Sequence, residues 1–106
     1  MTNLEALKYS VNYPLESNHV EPILVKRGLS SVEVFTHEVA ISQSYELAYA
    51  DVLRFVVTIV NLEQGGKITQ ADVSALTGTA NAIYRKYGES LIGETADSPT
   101  VTILSL

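Results

Sequence analysis

Residues 44–63, SYELAYADVLRFVVTIVNLE, are apolar almost all the way round a helix and then run into Gly65-Gly66. Ile41, Tyr45, Ala48, Val52, Phe55, Val56 and Ile59 trace one face at three-and-four spacing, and Tyr49, Leu53, Val57 and Val60 widen it. A helix over about 40–62 with so little polar surface has to be central, packed on more than one side. Arg54 and Thr58 interrupt the apolar run at 52–62, which falls well short of the roughly 20 residues that span a bilayer. The spacing of Asp51 and Arg54 suits an intrahelical ion pair. Glu46 and Asp51 read as surface carboxylates that give the helix polar relief.

The paired glycines turn the chain back. Thr69-Gln70-Ala71-Asp72 resembles a capping box with a shortened acid, and a second long helix is predicted over 70–87. Val73, Leu76, Ala80, Ile83 and Tyr87 form a narrow seam for antiparallel packing on the central helix. Arg85 and Lys86 in the last turn, followed by Gly88, read as a helix ending with a left-handed cap.

Two shorter helices precede the long pair. Leu4, Leu7 and Val11, with Thr2 or Asn3 as cap, predict one that ends before Pro14. Val20, Ile23 and Leu24 with Lys26-Arg27-Gly28 predict the other, with Asn18 and Glu21 as a capping box and Pro22 either kinking or starting the helix. Residues 29–38 read as a connector with some extended character. The fold class expected is all-α: a compact bundle of about four helices, two short and two long antiparallel, over residues 1–90. Residues 91–106 are expected to be a linker and a strand-like C-terminal arm, because Val101 and Ile103 alternate with Thr100 and Thr102. A lone strand needs a partner for its backbone groups, so the arm either pairs with the connector near Val32 and Phe35, docks on another subunit, or frays.

At 106 residues and 46% hydrophobic content the chain suits one domain with one modest core. Seven basic against twelve acidic residues give a net charge of -5, which disfavours phosphate backbones, and specific nucleic-acid binding is not expected. Without cysteine there is no disulfide, thiolate zinc site or cysteine nucleophile. His19 and His37 lie near glutamates but lack metal-ligand spacing, and both read as surface histidines. Gly65-Gly66-Lys67 lacks the rest of a phosphate loop, and no serine nucleophile motif is recognisable. Tyr45, Tyr49, Tyr84 and Tyr87 suit a core-to-water boundary better than a ligand pocket. No enzyme activity and no cofactor, catalytic, cofactor-binding or metal residue is expected. The N-terminus does not read as a secretion signal, and a cytoplasmic location with no membrane association is expected.

Three stretches carry a resemblance by their combination and order: YPLESNHVEPILVKRGL, SYELAYADVLRFVVTI with its Gly-Gly turn, and ANAIYRKYGE. Together they resemble a family of small phage and prophage proteins of Bacteroidetes-type bacteria, similar to head-tail connector, or head-completion, proteins of tailed phages. The resemblance covers most of residues 1–90. It implies a non-enzymatic helical subunit that self-associates in a ring, contacts portal or tail proteins, and sits in the host cytoplasm during assembly and at the virion neck afterwards. Thr100, Val101, Thr102, Ile103, Leu104 and Leu106 are then the candidate subunit-contact arm. An acidic ring would let DNA slide through its channel without sticking. The alternative is a small helical DNA-binding or regulatory module using ADVSALTGTANAIYRKYG as its recognition unit.

Overall fold

The computed structural model of the chain describes residues 1–63 and 70–93. Five helices follow one another: α1 (Asn3–Lys8), α2 (Ser17–Lys26), α3 (His37–Ala40), α4 (Gln43–Glu63) and α5 (Gln70–Lys86). The architecture is an all-α bundle, with α5 packed along α4 and with α1, α2 and α3 also against α4. Among the described residues there is no strand, only an isolated antiparallel bridge between Thr2 and Val34. The arm residues Thr100 to Leu106 lie outside the described residues.

Central placement of α4 follows from its composition. Ala48, Val52 and Val56 are buried in one cluster with Leu7, Val20 and Leu24 from α1 and α2. Leu47, Ala50 and Leu53, on the other side of the helix at 100° per residue, are buried in a second cluster with Ala80 and Tyr84 of α5. The seam of α5 is shifted from the expected one. Val73, Ala80 and Tyr84 are its buried members, whereas Leu76, Ile83 and Tyr87 are half-buried at its edge.

Helix boundaries depend on local chemistry. Thr2 caps α1 by accepting from the Glu5 amide at 3.2 Å, and the Glu5 carboxylate accepts from the Thr2 amide at 2.8 Å, a reciprocal capping box. That contact holds the Glu5 carboxyl below its ordinary range. The expected Asn18–Glu21 box does not form. The chain turns helical at Ser17, the Glu16 amide donates to His19 Nδ1 at 3.4 Å, and Glu21 accepts from the Ser31 hydroxyl at 3.0 Å. Pro22 lies inside α2, which continues through it, exposed on its outer side. The connector contains α3, too short to show a period, started by the Thr36 hydroxyl accepting from the Val39 amide at 3.2 Å. Ser42 then caps α4 by accepting from the Tyr45 amide at 3.2 Å.

Both α2 and α5 end in the same motif. After α2, Gly28 has φ of +85°, and the Leu29 and Gly28 amides donate to the Leu24 and Val25 carbonyls at 2.9 Å each. After α5, Gly88 has φ of +71°, and the Glu89 and Gly88 amides donate to the Tyr84 and Arg85 carbonyls at 2.8 and 3.3 Å. Each is a Schellman ending with glycine in the left-handed position. Asn81 holds the chain beyond it: its Oδ1 accepts from the Ile92 amide at 2.6 Å and its Nδ2 donates to the Ile92 carbonyl at 3.3 Å.

The packing makes a discriminating prediction. Leu53→Ala, at a site 1% exposed, is expected to lower unfolding free energy by about 2–5 kcal/mol in urea titrations. Leu76→Ala, at the half-buried edge, is expected to lose distinctly less. Equal losses at the two positions would show that the α5 seam runs through Leu76.

Candidate functional site

The densest polar constellation lies where α2 ends, α4 passes its first third and α5 turns away. Arg27, the residue closing α2, presents its guanidinium fork to two carboxylates. Its Nε and Nη2 donate to Asp51 Oδ2 and Oδ1 at 2.7 and 3.0 Å, and its Nη1 and Nη2 donate to Glu89 Oε2 and Oε1 at 3.0 and 3.1 Å. Both contacts are bidentate, the geometry in which arginine binds carboxylate most strongly. The side chains of Arg27 and Asp51 are 19% and 16% exposed and that of Glu89 is 36% exposed, so the network is a partly shielded surface latch. The Asp51 and then the Glu89 hydrogen bonds raise the Arg27 pKa further.

Tyr84 completes this latch from inside. Its ring is fully buried in α5, and its hydroxyl donates to Asp51 Oδ1 at 2.6 Å. Burial first, then the hydrogen bond to Asp51, pushes the phenol above its ordinary pKa, which keeps the proton where the bond needs it. The Asp51–Arg54 pair expected from spacing gives way to this arrangement. Asp51 is engaged by Arg27 and Tyr84, and the Arg54 guanidinium lies over the Tyr84 ring, 5.5 Å from its centre.

A second latch joins the start of α4 to the end of α5. Glu46 accepts from Lys86 Nζ at 3.0 Å and from the Tyr87 hydroxyl, and Lys86 sits 5.1 Å from the Tyr87 ring centre. The Tyr87 bond, then Lys86, lowers the Glu46 pKa, and the pKa values of both partners are raised in return. Neither Glu46 nor Asp51 is the plain solvated carboxylate expected from sequence. Both bind the two long helices together.

Other expected residues fall apart in space. His19 is half-buried with its ring 5.1 Å from that of Phe55, a packing role and not a plain surface position, while His37 is exposed at the start of α3. Among the described residues no group of three or more His, Cys, Asp or Glu could hold a metal ion. Tyr45 and Tyr49 do line a groove of about 570 Å³ with Glu46, Ile83 and Lys86, and burial raises the Tyr45 pKa, but Tyr84 belongs to the core. In the stretch 71–88 the two basic residues, Arg85 and Lys86, are both exposed, Lys86 being paired with Glu46, while Tyr84 is committed to Asp51. No helix among the described residues is long and apolar enough to cross a membrane.

Fold and latches define the class: a small all-α bundle whose polar clusters join its own helices. The chain belongs to DUF6706, a family of unknown function, whose model matches residues 1–105. No curated protein and no solved structure matches it.

Two outcomes test the latches. Arg27→Met is expected to cost about 1–3 kcal/mol, between the surface and buried limits for an ion pair. A double-mutant cycle with Asp51→Asn should show coupling, and values under about 0.5 kcal/mol would make the pair energetically idle. For Glu46 the depressed carboxyl sets the sign. Its stabilising contribution is present above the ordinary value of 4.5 and is lost as pH falls through the lower folded value. Glu46→Gln should therefore flatten the acid limb of a stability-against-pH curve, and an unchanged limb would contradict the second latch.

Proposed function

We propose that this protein is a virion structural or assembly component of a phage or prophage, a head-tail connector subunit that self-associates in a ring between portal and tail. The observation that carries this reading is a group of exposed apolar side chains gathered on one outer ribbon. Met1, Val32 and Val34 are 68%, 78% and 68% exposed. They meet on one short ribbon, because the Phe35 amide donates to the Met1 carbonyl at 2.9 Å and Thr2 bridges Val34. Exposed apolar patches of this kind mark contact surfaces between proteins. The resemblance of three stretches to phage connectors supplies the biological setting, and the -5 charge suits a wall along which DNA slides.

The alternative is a small helical DNA-binding or regulatory module built on residues 71–88. With Tyr84 buried, that helix end would have to bind through Arg85 and Lys86 alone, the latter already paired with Glu46, and the acidic balance opposes it. The connector reading has the stronger support.

Mass spectrometry of density-gradient-purified particles after prophage induction tests the proposal. The chain is expected to remain with intact virions at several copies per particle. Its absence from particles whose capsid and tail components are detected would overturn the structural role.

A further inference from the structure

A cleft of about 420 Å³ opens beside the Arg27 latch, between α2 and α4. Its volume falls within the range of small-molecule sites, roughly 300–1,000 Å³. Lys26, Arg27 and Arg54 line it, three of the chain's seven basic residues, together with Asp51 and Glu89. Pro22, which is exposed, and Ile23, which is half-buried, add an apolar wall.

Charge decides what this cleft can accept. Arg27 commits four of its five N–H donors to Asp51 and Glu89, so the latch is internally bonded and holds one guanidinium against two carboxylates. Lys26 and Arg54 add two positive charges, and among the described residues neither forms an ion pair. One of them offsets the excess negative charge of the latch, and the other is surplus. Arg54 is denied the nearby carboxylate because Asp51 is already held by Arg27 and Tyr84. Its contact with the Tyr84 ring, 5.5 Å from the ring centre, fixes the guanidinium at the cleft without neutralising it. The carbonyls at the end of α2, which repel anions, are occupied as well: those of Leu24 and Val25 accept from the Leu29 and Gly28 amides.

We infer that the cleft binds a small ionised carboxylic acid, one negative charge on a short aliphatic tail. The carboxylate accepts from Arg54 and Lys26, on α4 and α2, and the tail lies against Pro22 and Ile23. Arg27 stays in its latch. A single charge brings the lining, three positive against two negative, to neutrality, whereas a second charge on the ligand would face Asp51 and Glu89 uncompensated. The two oxygens of a carboxylate offer several acceptor positions, enough for a guanidinium and an ammonium together. This site goes beyond the assembly role proposed above and does not rest on it.

Titration of the whole chain with sodium hexanoate at constant ionic strength, followed by NMR, tests the inference. Saturable shifts are expected at Lys26, Arg54 and Glu89, with a Kd on the order of 1 mM. Acetate, which lacks the tail, should bind at least about tenfold more weakly. Lys26→Gln and Arg54→Gln should each weaken hexanoate by about tenfold, the loss of one charged hydrogen bond. Lys86→Gln removes the same charge at the other latch and should leave the Kd within about twofold. Lys26 is exposed at the end of α2, so its variant keeps the test open if Arg54→Gln disturbs the packing of Tyr84. Four results would overturn the inference: no saturation below about 50 mM hexanoate, equal shifts with hexylammonium, equal weakening by Lys86→Gln, and tighter binding of the dianion succinate. Each leaves the virion measurement untouched, so failure of this site and failure of the connector reading are separate outcomes.

Discussion

Arg27 occupies the position on which three parts of the bundle converge. It closes α2, and its planar fork is filled by one carboxylate from α4 and one from the residue that seals α5. The contact with Glu89 needs both helix endings in place, and the contact with Asp51 needs that of α2. Gly28, at φ of +85°, lets α2 stop immediately after Arg27, and Gly88, at φ of +71°, turns the chain so that Glu89 returns toward it. The ion pair and the two glycine-dependent endings are thus one device. Partial exposure limits its energy, so its larger effect is to fix how α2, α4 and α5 meet. Apolar burial on both sides of α4 supplies most of the stabilisation.

Tyr84 connects these two kinds of interaction. Its ring fills the cluster formed with Leu47, Ala50, Leu53 and Ala80, while its hydroxyl reaches outward to Asp51. A buried phenol needs such an acceptor, and Asp51 needs donors because it is only partly solvated. The same residue therefore packs α5 on α4 and adds to the outer latch. Arg54 covers its ring instead of taking Asp51, although it stands closer to Asp51 in sequence.

The parts of the fold readable from sequence were those with a local cause. The all-round apolar character of 44–60 marked α4 as central, and the Lys-Arg-Gly and Lys-Tyr-Gly runs marked two helix endings that the structure places at Gly28 and Gly88. The rest depended on distant partners. Asp51 lies 24 positions from Arg27 and 33 from Tyr84, so intrahelical spacing pointed instead to Arg54. Glu46 and Asp51 carried no sign that α5 would cover them. The four residues of α3 are too few to establish a period, and Thr36 before them is only a weak marker. The Thr2–Val34 bridge had no turn or alternation to announce it, because it joins the first residues to a connector some thirty positions away.

The two edges of that connector are treated differently by the fold. Its inner edge is tied to Met1 and the start of α1 through three backbone hydrogen bonds, with Asn3 Nδ2 adding a fourth to the Ser30 carbonyl at 2.9 Å. Its outer edge carries two exposed valines and, in Glu33, one exposed charge. Proteins commonly blunt a free edge with lysine, proline, a bulge or a covering element, since an open one recruits other chains. Here the blunting is slight, while the net charge of -5 supplies long-range repulsion between copies. The repulsion acts on the whole molecule, whereas the open edge is short and local.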